Sequence, residues 1–190
     1  TEILEQRNTD RYQYIFPAYN LTKYIDTDNY NINGGLTFKS SGSQNLYSTN
    51  ISEARIINDL NYKSEDHFLN SGIQHGYYLL LKNVNTKGSN STIYKDKAEA
   101  EALASLIFNS SYPLLREGIN FNNYITPKIS ARYTPTAMKN LREENRRIGV
   151  SGVWSNNRIG SDDTLESGQS ITIGAEYKKT KKIDKKNVEE

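Results

Sequence analysis

The stretch NNRIGSDDTLESGQSITIGAEY, residues 156–177, decides the fold class. Its second half alternates: Ile171, Ile173, Ala175 and Tyr177 point one way, Ser170, Thr172, Gly174 and Glu176 the other. Side chains of a strand project with a period of two, so this segment has one apolar face and one wet face. Its first half is a polar turn of Asn, Arg, Gly and Asp that runs into Glu166 and Gly168. An amphipathic strand fed by a charged hairpin suits either a half-buried soluble sheet or the wall of a membrane barrel. The remaining strands must decide between them.

The same period recurs along the chain. Tyr12, Tyr14 and Phe16 alternate ahead of Pro17, and Tyr30, Ile32, Gly34, Leu36 and Phe38 alternate with polar neighbours before a predicted turn at Ser40–Ser43. Ala54, Ile56, Leu60 and Tyr62 share a face with Asn58 as its polar member, and Ile73, His75, Tyr77, Leu79 and Leu81 share another. Phe121, Ile125, Ile129, Ala131 and Tyr133 follow, with Pro127 read as a strand start or bulge. A further strand is predicted from Ile148 to Val153. The polar stretches 40–49, 64–71, 83–91, 134–147 and 156–167 read as connections, several longer than the hairpin loops of soluble sheets. Short turns at one end and long polar loops at the other, between segments near membrane-strand length, is the pattern of an outer-membrane barrel.

One segment departs from it. Asp96–Phe108 (DKAEAEALASLIF) is rich in Ala, Glu and Leu, and Asp96 and Glu99 stand at capping-box spacing. It predicts one short helix in a loop, packed on a barrel rim or wall or binding a partner. Tyr112-Pro113-Leu114-Leu115-Arg116 should then resume the sheet, and residues 178–190 read as a charged loop or tail.

The totals narrow the function classes. A chain of 190 residues suffices for one sizeable domain. A mean hydropathy of -0.76 is low for a packed core. Yet 14 Tyr and 5 Phe do not belong to a disordered chain. A formal charge of +2 gives no bulk attraction to nucleic acid. Zero Cys excludes disulfides and thiolate chemistry. The longest apolar run, Tyr77–Leu81, falls far short of the roughly 20 residues of a spanning helix. The start at Thr1, without a signal-like segment, suggests a fragment or a processed chain. His67 and His75 stand in different segments without metal-ligand spacing, and no phosphate loop, dinucleotide fingerprint or nucleophile elbow occurs. Asp162, Asp163 and Glu166 offer the carboxylates of a glycosidase, but beside Arg158 in one loop they read more economically as ion pairs that order it. No enzyme, cofactor or metal is expected.

Asn157, Arg158, Ile159, Asp163, Glu166 and Gly168 form a pattern that resembles the family motif of the lipopolysaccharide-assembly proteins of the LptD type. Tyr112, Pro113, Leu114, Leu115 and Arg116 are similar to the strand that precedes it in alphaproteobacterial members, and Ile125–Ser130 resembles the next strand. The resemblance covers most of the chain, specific in the last motif and loose over the first 90 residues. It implies an all-β fold: residues 1–177 as a middle-to-C-terminal portion of an antiparallel transmembrane barrel of about 26 strands in the outer membrane. It further implies delivery of lipopolysaccharide to the outer leaflet. The partners would be lipopolysaccharide, outer-membrane lipid, an LptE-type plug lipoprotein and an LptA-type periplasmic bridge. That bridge would be reached through an N-terminal jellyroll domain missing here, as are the strands of the lateral opening and the cysteines of many relatives. The motif loop would either be ordered by charge-assisted hydrogen bonds or touch the sugar and phosphate groups of the passing lipid. Two other classes share the strand pattern: a channel or receptor barrel, and a soluble all-β carbohydrate-binding module with Tyr rings as stacking platforms.

Overall fold

In a computed structural model that describes residues 13–27, 32–47, 50–139 and 148–182, alternating segments pair into one antiparallel sheet. Its strands are β1 (Gln13–Ile25), β2 (Gly35–Tyr47), β3 (Ser52–Lys63), β4 (His67–Phe68), β5 (Gln74–Ser89), β6 (Glu99–Ser111), β7 (Leu114–Glu117), β8 (Phe121–Thr134) and β9 (Gly168–Lys181). The spatial order is β1-β2-β3-β5-β6-β8-β9, with β4 beside the start of β5 and β7 beside the start of β8. Among the described residues β1 and β9 are open edges, so the sheet does not close on itself. No described segment is helical.

Several expectations need correction. The helix expected over Asp96–Phe108 is strand β6, paired with β5 from Thr86↔Glu99 to Gln74↔Ser111. Helix propensity is a weak prior that tertiary pairing overrides. The same residues also alternate, with Leu103, Ser105 and Ile107 buried on one face and Ala102, Leu106 and Phe108 on the other. The turn expected at Ser40–Ser43 lies inside β2. There Ser40 Oγ donates to Asn58 Oδ1 at 2.7 Å, and Gly42 leaves the space that the Tyr19 ring fills. β5 runs on to Ser89 through the stretch read as a connection, and β9 runs to Lys181, taking in the first residues of the supposed tail. Residues 148–153 form no strand, and 150–153 form turns. Tyr12 and Tyr30 lie outside the described residues.

Pro127 is neither a strand start nor a bulge: it sits within β8, where the neighbour changes. Residues Leu106–Ser111 of β6 pair with Lys128–Tyr133, and β7 takes over at Leu114↔Ile125. Tyr112 N donates to the Pro127 carbonyl at 3.0 Å across that join. The N–H and C=O of a strand residue face the same neighbour, so the donor that proline lacks would have pointed into the break.

The two faces differ in chemistry and in cover. One carries Asp59, Lys82, Glu101, Ser105, Ser130, Arg132, Thr134, Ser170 and Thr172, and residues 154–166 of the β8–β9 connection pack on it. Buried here is a small apolar cluster of Ile57, Leu80, Val84 and Leu103 joined by Leu165 from that connection. The other face is apolar and open: Leu21, Leu81, Leu106, Tyr133, Ile171 and Ile173 are all exposed, Ile173 to 77%. Across its upper part runs a polar chain in which Tyr19, Ser40, Asn58, Asn83 and Asn85 bond one to the next over four strands.

The apolar band crosses the strands obliquely. Its centre falls at Thr37 on β2, between Leu36 and Phe38, and at Gly174 on β9, midway along Ile171–Tyr177. Followed through the pairing, Thr37 leads to Leu80 on β5 and Gly174 leads to Gln74. The band thus slides about 1.2 residues per strand pair, which at roughly 3.4 Å per residue and 4.8 Å between strands is an inclination of about 40°. The expected contrast of short turns and long loops is not clean, since residues 135–167 leave from the same end as the short link 48–51. Its residues 154–166 fold back over the polar face instead of extending away.

Ala102 is exposed on β6 opposite Asn83. In a strand, Ala102→Val should raise the denaturant midpoint or leave it unchanged, β propensities spanning about 1 kcal/mol, whereas a helix there would be weakened. Equilibrium unfolding of the two chains distinguishes the outcomes.

Candidate functional site

The connection between β8 and β9 is held to the polar face by charged groups that reach its backbone and side chains. Gly168, with φ +89°, lets the chain reverse between Glu166 and β9, a conformation that suits glycine. Arg158 is thereby set between its own loop and the first residues of β9. Its Nε donates to Glu166 Oε2 at 2.7 Å, one terminal nitrogen to the other Glu166 oxygen and to Ser170 Oγ at 2.7 Å, and the second to Thr172 Oγ1 at 3.1 Å. The Arg158 side chain is only 7% exposed. A two-pronged arginine–carboxylate pair with further hydroxyl acceptors is the geometry in which a sheltered guanidinium is best satisfied.

Two strand cations add anchors that sequence reading missed. Arg132, on β8, donates to the carbonyls of Asn156 at 2.7 Å and Ser155 at 2.8 Å, and its Nε lies 3.9 Å from Glu166. Lys82, on β5, donates to the Asp162 carbonyl at 2.7 Å while paired with Asp59 at 2.7 Å. Both sit within amphipathic strands, so they read as ordinary wet-face residues. Only the fold of the loop reveals their targets.

The loop also has internal order. Asn157 closes a tight turn, accepting from Gly160 N at 2.9 Å and donating to the Ser161 carbonyl at 2.8 Å. Asp163 accepts from Ser161 Oγ at 2.8 Å, from Lys139 Nζ at 3.3 Å and from the Tyr94 hydroxyl at 3.4 Å. Burial pushes the Asp163 carboxyl up, but the Ser161 hydroxyl and the Lys139 ammonium outweigh it, and the net effect holds it below the ordinary carboxylate range. Leu165 is 5% exposed in the apolar cluster. Trp154 lies against Gly174, where a Cβ would come within 3.0 Å of its ring.

The structure thus brings together Asn157, Arg158, Asp163, Glu166 and Gly168, with Ile159 half-buried beside them. Asp163 and Glu166 answer to separate cations, and Asp162 is exposed, so the three carboxylates do not converge on a common point. Tyr112, Pro113, Leu114 and Arg116 lie elsewhere, at the β6–β7 link and on β7, all exposed. His67 and His75 are register partners on β4 and β5, their rings 5.6 Å apart beside Tyr77 and Phe108. Among the described residues no cluster of His, Asp and Glu suits a metal ion. The chain matches no known family model and no curated protein.

Two outcomes test this anatomy. Glu166→Ala should cost about 3–5 kcal/mol, because it leaves a sheltered Arg158 uncompensated, whereas Lys181→Ala at an exposed position of β9 should stay within about 0.5 kcal/mol; denaturant midpoints compare them. Asp163 has a lower pKa folded than unfolded, so its stabilisation is complete above the unfolded value and vanishes as pH falls below about 4. Protease sensitivity of the loop should therefore rise on acidification, by more in the parent chain than in Asp163→Asn.

Proposed function

We propose that this chain is part of the wall of an outer-membrane β-barrel that delivers lipopolysaccharide to the cell surface, its apolar face against lipid and its polar face toward the interior. The observation that carries the reading is the sidedness of cover: among the described residues, 154–166 of the long connection lie on the polar face, while Leu21, Leu81, Leu106, Tyr133, Ile171 and Ile173 of the apolar face are left exposed. A soluble sandwich buries its apolar faces against one another. A spanning barrel does the reverse, with an outward apolar band and a polar inside. The inclination of about 40° in the apolar band suits the tilt of roughly 35–45° in such barrels. An open sheet edge does not persist in hydrocarbon, so β1 and β9 would each be paired with further strands in the assembled wall.

Lipopolysaccharide as cargo rests on the resemblance of Asn157, Arg158, Ile159, Asp163, Glu166 and Gly168 to the motif of the LptD-type proteins. In this reading the motif pins a loop against the inner wall, where it sets the width of the passage and presents polar groups to sugar and phosphate. An LptE-type lipoprotein would occupy the remaining interior, and an LptA-type bridge would supply lipid through a jellyroll domain. No chemical step is assigned to the chain.

Photo-crosslinking in cells tests the proposal. A photoreactive residue in place of Ile173 should capture phospholipid, and one in place of Thr126, on the polar face, lipopolysaccharide. Ile173→Arg should also lower the folded yield in lipid vesicles, because an outward charge near the bilayer midplane costs about 2–4 kcal/mol. A chain that stays in the aqueous phase, or an Ile173→Arg variant that folds in lipid as well as the parent, overturns the assignment.

A further inference from the structure

A recess of about 240 Å³ lies on the polar face between Trp154 and the β3–β5 connection. Its floor follows from the pairing: Gly174, Lys128, Ser111 and Gln74 form one row across β9, β8, β6 and β5. Trp154 stands at the Gly174 end of the row, and Asp66 at the Gln74 end. Asn109, from the adjoining row, also lines it.

The recess has an aromatic ring at one end and a carboxylate at the other. Trp154 is 37% exposed, so part of the ring is open while the remainder rests on the strand at Gly174. Opposite it, Asp66 takes the Gln74 amide on Oδ2 at 2.9 Å. Its Oδ1 lies beside Gly76, where the absent Cβ would have come within 3.0 Å. Ser111 and Asn109 present a hydroxyl and an amide between these walls. The volume equals about eight waters at roughly 30 Å³ each, below the range of about 300–1,000 Å³ for drug-sized ligands.

We propose that this recess binds a single pyranose sugar, its C–H face on Trp154 and its hydroxyls on Asp66, Asn109 and Ser111. Charge then sets the order of preference. Lys128 is already paired with Glu176 at 2.5 Å, which leaves the Asp66 carboxylate as the charge facing the ligand. An amino sugar is favoured over a neutral hexose, and a uronate binds more weakly. The inference needs only the recess: it stands if the chain proves soluble, and a negative result leaves the barrel reading untouched.

Trp154 is the one tryptophan in the sequence, so its fluorescence reports on this site alone. The folded 190-residue chain is titrated with glucosamine, glucose and glucuronate. The expected result is a saturable change, with glucosamine about threefold to tenfold tighter than glucuronate, the scale of one partly exposed charge-assisted hydrogen bond. Asp66→Asn should remove that preference while keeping the fluorescence reporter. Trp154→Phe should bind by calorimetry and Trp154→Ala should not, with Trp154→Ala checked by proteolysis for an intact loop. A response that is linear and unsaturable, equal affinities for the three sugars, or an unchanged preference in Asp66→Asn overturns the proposal.

Discussion

A guanidinium that loses water must find an acceptor for each donor it turns inward, and Arg158 meets that demand from two directions. Glu166 supplies two oxygens from the loop; Ser170 and Thr172 supply hydroxyls from β9. Neither side alone would satisfy the charge, so loop and strand are held in one arrangement. The consequences reach well beyond the ion pair. With Glu166 fixed, Leu165 drops into the gap over Ile57, Leu80, Val84 and Leu103. The carbonyls of Ser155 and Asn156 meet Arg132, that of Asp162 meets Lys82, and Trp154 settles on Gly174. Polar side chains that solvent would otherwise cover become the bed of an ordered segment.

The alternating strands were legible wherever a run of Ile, Leu and Tyr kept its phase, as in Ile171–Tyr177 and Tyr77–Leu81. The physical source of that signal is burial or lipid contact on one face, and it fails where neither operates. Ser40 to Ser43 carry no apolar side chain, and only the bond from Ser40 to Asn58 and the fit of Tyr19 over Gly42 keep them in the sheet. In β6 the error was of another kind. Ala, Glu and Leu favour helix locally, but the decisive partners stand well back in β5, from Thr86 opposite Glu99 to Gln74 opposite Ser111, out of reach of any local reading. The motif residues were legible as a charged cluster, and the pairing of Arg158 with Glu166 follows the economy expected of them. Arg132, Lys82 and Lys139 were invisible as anchors, because their acceptors are backbone carbonyls or a distant carboxylate placed by a fold that spacing does not encode.

The apolar face is not uniformly so. Tyr19, Ser40, Asn58, Asn83 and Asn85 lie on it, yet they donate and accept among themselves, and the Asn83 amide ends the series on the Glu101 carbonyl at 3.3 Å. Polar groups away from water are tolerable when they satisfy one another. The chain of bonds crosses four strands and so also ties β1 to β5 through side chains, beside the backbone ladder.

Among the described residues only part of β6 has a companion on its far side: Leu106–Ser111 are matched to β8, while Glu99–Ser105 are not. Backbone amides left without a mate survive in water and not among acyl chains. On the open face of β6 the large apolar residues, Leu106 and Phe108, begin where the matching begins. In a bilayer this draws a waterline across the sheet. If the wall lies in a bilayer as proposed, the tip that carries Ala100 and Ala102 would stand clear of the hydrocarbon, and the notch beside it would open at the level of the headgroups.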